Sequence, residues 1–303
     1  MASALTHCRN CGAPYESVPN GLCPQCGIAP LPHPPMITDA TSVPGAKSTS
    51  FDILVALLVW FGSVGLLLII QLAGLIIYYG IKYLQTGEMP RIVIDAPFAL
   101  VSLAGTFVAH ILTLGLCWVV VTRKGQEPFW STLGWRWHTQ FKWVHAVALA
   151  IGMFGLAILM ERVLPHGETD FDRLLRLSLA VRISIAVLAV LTAPIVEEVV
   201  YRGVIYGAFE RAGRLKLGIL IVTLLFATVH VPQYWGSPAS LAAILLISLV
   251  LTLLRALTRQ LLPSVATHFV FNGVQALILL LRPAEAEKVD AGLAILKQFL
   301  GLG

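Results

Sequence analysis

Residues Ala193–Gly203 read Ala-Pro-Ile-Val-Glu-Glu-Val-Val-Tyr-Arg-Gly, so two adjacent glutamates and an arginine stand inside an otherwise apolar run. The surroundings of this run decide the fold. A charged side chain at the centre of a bilayer costs at least about 2.5 kcal/mol and persists there only when paired, hydrated or used. The chain has 303 residues, of which 57% are apolar and 12% charged, and its mean hydropathy is +0.82. That composition is the signature of a polytopic membrane protein. A membrane span needs about 20 mainly apolar residues. About seven stretches qualify: 52–79, 97–122, 143–160, 183–201, 216–232, 239–257 and 261–281. The expected fold is an all-α polytopic membrane protein of about seven transmembrane helices, with a small module ahead of them.

The net charge is +5, but the basic residues are spread among loops and form no single face for nucleic acid. Nucleic-acid binding is therefore excluded as an expectation, and the bilayer is the expected partner. Loop 123–142 and the hairpin at 211–216 are basic, whereas the loop Val-Pro-Gln-Tyr-Trp-Gly-Ser-Pro at 231–238 is uncharged. The positive-inside rule then favours a cytosolic N-terminus, and the cytoplasmic membrane of a bacterium is the expected location. Trp130, Trp135, Trp137 and Trp143 crowd one linker, where indoles suit the headgroup layer.

The first residues carry no apolar stretch of the secretory type before the first cysteine. Two residues separate Cys8 from Cys11, and two separate Cys23 from Cys26, with Gly12 and Gly27 following the two pairs. Two such knuckles can bring four thiolates into a tetrahedron about 2.3 Å from a zinc ion. In a reducing compartment, disulfides are the poorer reading. Residues 1–30 are therefore expected to be a zinc ribbon with a structural zinc, and a cytosolic protein is its candidate partner. Residues 31–50 read as a flexible linker rich in Pro, Ser and Thr. Residues 51–282 form the transmembrane domain and 283–303 an amphipathic tail, in which Val289, Leu293, Leu296 and Leu300 make an apolar stripe at helical spacing. Cys117 reads as a small core residue.

Within the opening run, Glu198 and Arg202 are four residues apart on a helix and can pair, while Glu197 points roughly 100° away, toward the face it shares with Tyr201. This motif alone suits either an ion pair that fastens helices or a reactive site. Downstream, Phe-Ala-Thr-Val-His at 226–230 ends one span with His230, and His-Phe-Val-Phe-Asn at 268–272 sets His268 and Asn272 on one face of the last. His110 and His145 stand alone and read as satisfied hydrogen-bond partners. Glu197 and His230 each lie about 25 Å along a helix from the turn at Ala212–Gly213–Arg214, and His268 and Asn272 climb roughly 14 to 20 Å from a turn on the same side. The four side chains can therefore meet within the membrane. Pro194, one turn ahead of the glutamates, is expected to open the helix there and admit water.

Glu-Glu-Val-Val-Tyr-Arg, Phe-Ala-Thr-Val-His and His-Phe-Val-Phe-Asn, in that order on separate spans, resemble the EExxxR, FxxxH and HxxxN motifs of the CPBP family of intramembrane glutamic endopeptidases. That family comprises the type II CAAX prenyl endopeptidases and Abi-like proteins, and the resemblance covers roughly residues 95–282. It implies hydrolysis of peptide bonds in membrane-associated protein or peptide substrates by glutamate-activated water, with no cofactor in the catalytic site. Glu197 would be the base and His230 would orient the same water, while His268 and Asn272 would serve as oxyanion donors. Arg202 would hold Glu198, as a second base or as a structural partner. The zinc head lies outside the family core.

Three other readings compete with this one. In the first, Glu198, His230 and His268 hold a zinc that activates water, although no HExxH motif is present. In the second, the cluster is a proton relay of a transporter, which predicts repeats and paired broken helices. In the third, the protein is a non-catalytic binding or immunity protein and the charges fasten helices together.

Overall fold

The computed structural model describes residues 6–7, 14–15 and 49–281. The chain divides into two compact units, Met1–Lys47 and Ser48–Gly303. In the first, β1 (Thr6–His7) pairs antiparallel with β2 (Pro14–Tyr15), Thr6 lying opposite Tyr15. The expected zinc ligands Cys8, Cys11, Cys23 and Cys26 lie outside the described residues, as do the C-terminal stripe and all of the expected linker but its last two residues, which belong to the first helix.

Every regular element among the described residues of the second unit is a helix. It comprises α1 (Thr49–Thr86), α2 (Ala96–Val121), α3 (Phe129–Thr132), α4 (Trp143–Val163), α5 (Asp170–Leu175), α6 (Leu179–Arg211), α7 (Leu215–His230), α8 (Pro238–Thr258) and α9 (Leu262–Leu281). Six of these are long and apolar enough to cross a membrane: α1 from Asp52, α2, α4, α6, α8 and α9. The remaining apolar stretch became α7, a shorter helix of 16 residues. At 1.5 Å per residue it rises about 24 Å, less than the roughly 30 Å hydrocarbon core. The helix alone is therefore too short to cross that core.

The distribution of side chains is the reverse of that in a water-soluble protein. Leu84 and Leu257 are more than 80% exposed, and long rows of Leu, Ile and Val on α1, α2 and α4 face outward, while Glu198, Arg202, Ser248, Thr252, Ser264 and Thr267 have no exposed surface. Lipid is as apolar as leucine, so helices in a bilayer are held together by close packing and by polar groups turned inward. Helix α1 packs along α2, α7 along α8, and α4 against both α8 and α9, with α6 threaded among α1, α2, α7 and α9.

The starts and turns follow local chemistry. Asp95 caps α2 by accepting from the Phe98 N–H at 2.9 Å, with Pro97 in the first turn. The same carboxylate takes Lys82 Nζ at 2.8 Å and the Tyr78 hydroxyl at 2.8 Å, tying α1 to α2. His145 at the third position of α4 accepts from the Lys142 N–H, which bears out its reading as a satisfied partner. Between α6 and α7 the chain turns on Gly213, at φ +69°, with Arg214 N–H returning to Phe209 O at 2.9 Å. Close approach across this hairpin depends on Gly218, where a Cβ would stand 2.6 Å from the Phe209 Cβ.

Two predictions follow from this packing. Gly218→Ala should destabilise the protein by about 1 to 3 kcal/mol through overpacking, read as a lower Tm in detergent. The Lys82 partner holds the Asp95 carboxyl down at about 2, from an ordinary 3.8. A depressed carboxyl stabilises the fold above its unfolded value and loses that contribution as pH falls through its folded value. The Tm should therefore decline between about pH 4 and pH 2, and Asp95→Asn should flatten that part of the curve.

Candidate active site

The site is built on an irregular stretch of α6. Its first turns are α-helical, residues Leu188–Thr192 form a π turn, and Glu198–Ile205 form a second, longer π segment. Pro194 accounts for the first. It has no N–H to donate, and within the π register Ala193 N–H already reaches back five residues to Leu188 O. The next carbonyl in that register, Ala189 O, is left without its backbone donor. The side chain of Asn272 on α9 donates Nδ2–H to it at 2.8 Å. The opening expected at Pro194 thus lies in the turn before it and is closed by a side chain. One amide N–H of Asn272 is engaged in this way and the other is not.

Arg202 is completely buried and satisfied on every side. Its Nη1 donates to Glu198 Oε1 at 3.0 Å, its Nη2 to the carbonyl and hydroxyl oxygens of Ser248 at 3.0 and 2.9 Å, and its Nε to Thr252 Oγ1 at 3.3 Å. The Phe226 ring covers its face at 4.7 Å. Ser248 and Thr252 are the partners that motif reading missed. Their spacing on α8, with Arg255 one turn beyond, forms a polar stripe visible in the sequence once the span is drawn as a helix.

Glu198 is buried beside this cation, and its Oε1 also takes His268 Nδ1 at 3.0 Å. A carboxylate accepts, so Nδ1 carries the proton and Nε2 is the free nitrogen of neutral His268. That nitrogen stands 3.7 Å from Glu197 Oε2, at ion-pair range but beyond a hydrogen bond. His268 therefore lies between the two glutamates, which the 100° offset on α6 does not reveal. Glu197 keeps 23% of its side chain exposed, in contrast to Glu198.

His230 is oriented from behind. Its Nδ1–H donates to Phe226 O at 2.8 Å, and its ring stacks on Phe226 at 4.7 Å between centroids. Its Nε2 is left as an acceptor. Phe226 also meets Tyr201 at 5.1 Å and His268 at 6.2 Å, so one ring backs four polar side chains of the site: Tyr201, Arg202, His230 and His268. The Tyr201 hydroxyl accepts from Trp60 Nε1 at 3.1 Å, which brings α1 into the same wall. One turn past His230, Tyr234 packs on Phe171 at 5.5 Å. Burial, with the charges of Asp172 and Glu197 adding to it, pushes its phenol up to about 12, so it remains a donor at neutral pH.

His110, read from sequence as a satisfied partner, does bond Thr192 Oγ1 at 2.8 Å through Nδ1. Cys117 is buried in the main apolar cluster, as its reading expected. Among the described residues no group of three or more His, Cys, Asp or Glu side chains has the geometry to hold a metal ion.

The buried pair makes a stability prediction that separates the glutamates. Glu198→Gln leaves the Arg202 guanidinium uncompensated and should cost about 3 to 5 kcal/mol. Glu197→Gln, at a partly exposed position without a cation of its own, should leave Tm unchanged or raise it. Thermal unfolding of the two variants in one detergent checks the difference.

Residues 178–274 match the family described as Rce1-like, type II CAAX prenyl endopeptidase. No curated protein and no solved structure gives a match to the chain. The matched segment runs from the start of α6 into α9 and contains both glutamates, Arg202, both site histidines and Asn272. The helices of the second unit make the chain an integral membrane protein, and its residues 178–274 are similar to the Rce1-like, type II CAAX prenyl endopeptidase family.

Proposed function

We propose that the protein is an intramembrane endopeptidase of the CAAX-protease type, acting on membrane-associated protein or peptide substrates through water activated by Glu197. The observation that carries this reading is the position of His268: one nitrogen is bound to a buried, paired glutamate and the other faces a partly exposed glutamate at 3.7 Å. A fastener between helices needs only the Glu198–Arg202 pair. It leaves the second, unpaired carboxylate and the two oriented imidazoles without a purpose in a medium where each is expensive.

In the proposed reaction Glu197 takes a proton from water as the water oxygen bonds to the scissile carbonyl carbon. The bare Nε2 of His230 accepts the water's other hydrogen bond and aims the oxygen. The negative charge that develops on the carbonyl oxygen meets donors rather than a hydration shell. His268 in its protonated form supplies Nε2–H, and the unengaged N–H of Asn272 supplies a second donor. As the C–N bond breaks, the proton held by Glu197 passes to the leaving amine. Glu198 acts by position: its Oε1, fixed by Arg202, holds His268 Nδ1–H and sets the ring's orientation.

The N-terminus is proposed to be cytosolic, in the inner membrane of a bacterium, and the cysteine-rich head to hold a structural zinc and a cytosolic partner. If residue 40 is labelled from outside the cell in a cysteine-accessibility map, that orientation is wrong.

Cleavage of an internally quenched peptide ending in a prenylated CAAX sequence tests the reaction. Glu197→Gln should lower kcat by on the order of 10² to 10⁴ with Tm kept. His230→Ala should produce a similar defect, with little further loss in the double variant, because both groups act on one water. A Glu197→Gln protein that cleaves as fast as wild type would leave the cluster as a helix fastener.

A further inference from the structure

A groove of about 570 Å³ opens between the end of α2 and α3, a size within the range of small-ligand sites. Its inner part is apolar, lined by Leu114, Gly115 and Trp118 of α2 and by Phe129 and Trp130 of α3. A Cβ at Gly115 would meet nothing within 4 Å, so the floor there is open. Its outer part is the turn that follows α2, at Thr122, Gly125 and Glu127. From Leu114 to Thr122 a helix rises about 12 Å, so the groove runs from inside the span out past its last residue. Trp118 and Trp130 are each half exposed along it, as suits indoles at a headgroup layer. A trough that is apolar within the span and charged beyond it has the polarity of a phospholipid.

The turn is strained. Arg123 and Lys124 have φ of +49° and +62°, a region that residues other than glycine seldom occupy, and Gly125 continues it at +93°. Thr122 holds the three in place: its Oγ1 accepts from the Gly125 N–H at 2.8 Å and its carbonyl from the Glu127 N–H at 2.8 Å. Two cations and one carboxylate, all exposed, are thereby gathered at the mouth of the groove. Among the described residues none of the three forms a salt bridge. Backbone strain retained at such a place points to a function of the groups it presents.

We infer that the groove is a binding site for one phospholipid with a primary-amine headgroup, of the phosphatidylethanolamine class. One acyl chain lies in the apolar part, over Gly115 and between Trp118 and Trp130. Arg123 and Lys124 take the phosphate, their long stems lying along apolar surface while the charges reach the headgroup, and Glu127 takes the ammonium group. Charge complementarity selects this headgroup, because each of the three protein charges then meets its opposite. Phosphatidylglycerol satisfies the two cations but brings no cation to Glu127, and the quaternary ammonium of phosphatidylcholine offers that carboxylate no N–H to accept. The groove is built on α2 and α3 and not on the helices that carry the glutamates and the site histidines, so the inference stands apart from the proposed reaction.

The test is native mass spectrometry of the full chain in detergent, with equimolar phosphatidylethanolamine, phosphatidylglycerol and phosphatidylcholine of identical acyl chains. The wild type should retain one phosphatidylethanolamine in preference to the other two. Glu127→Gln should abolish the preference over phosphatidylglycerol, and Arg123→Gln and Lys124→Gln should each weaken retention on the order of fivefold. All three positions are exposed, so Tm should be kept. Gly115→Leu fills the floor and should weaken retention of the three lipids alike; should that variant fail to fold, the three charge variants decide. Equal retention of the three lipids by the wild type, or a preference that Glu127→Gln leaves unchanged, overturns the inference. So does displacement of the lipid by the prenylated CAAX peptide, which would make the groove a substrate site.

Discussion

A guanidinium cannot be left alone in a bilayer, and much of the core is arranged around the one at Arg202. Its charge is met by Glu198, its remaining N–H groups by Ser248 and Thr252, and its face by Phe226. These partners come from α6, α7 and α8, so satisfying one side chain fixes three helices in rotation and depth. The fourth helix follows, because the Glu198 oxygen that receives Arg202 also receives His268 of α9. Without hydrophobic driving force between helices in lipid, such polar contacts and close packing select one arrangement among many. Breaking the pair would leave an uncompensated charge with no water to solvate it.

The backbone of α6 shows the same economy. Two π segments in one helix are uncommon, and such turns gather at functional sites. A wider turn leaves carbonyls without donors, and in lipid an unsatisfied carbonyl is costly. Asn272 supplies the missing donor to Ala189 O, so the amide of the HxxxN stretch closes the helix that carries the glutamates. A residue can therefore serve the backbone with one N–H and the chemistry with the other.

The helices were legible in the sequence because each apolar run has a length the bilayer dictates: the expected 97–122, 239–257 and 261–281 differ from α2, α8 and α9 by at most one residue at each boundary. The run 183–201 was too short at its end, since α6 continues to Arg211 through Arg202 and Glu210, whose charges are hidden in ion pairs that hydropathy does not see. The run 216–232 has the hydropathy of a full span, though α7 comprises only 16 residues. Pairing of Glu198 with Arg202 was readable from spacing. The insertion of His268 between both glutamates was not, because it depends on how α9 rotates against α6, which is set by tertiary contacts. Ser248 and Thr252 were overlooked although their spacing was in plain view, since hydroxyls in a span ordinarily bond back to their own helix, as Thr252 also does.

The two adjacent glutamates end in different chemical situations, and the difference lies in what each can exchange. Glu198 has one oxygen held by a cation and an imidazole, inside a wall with no exposed surface. Protonating it would release Arg202 into lipid, so it is fixed as an anion and can act only by holding other groups. Glu197, one residue earlier and rotated toward the open side, has no cation of its own and keeps part of its surface exposed. Its basic neighbour is the imidazole of His268 at 3.7 Å, which is charged only when protonated, so protonating Glu197 releases no permanently charged partner, and that is the property a group needs if it is to take up and release a proton in each turnover. A single step along α6 separates the carboxylate that the fold requires from the one that it leaves free.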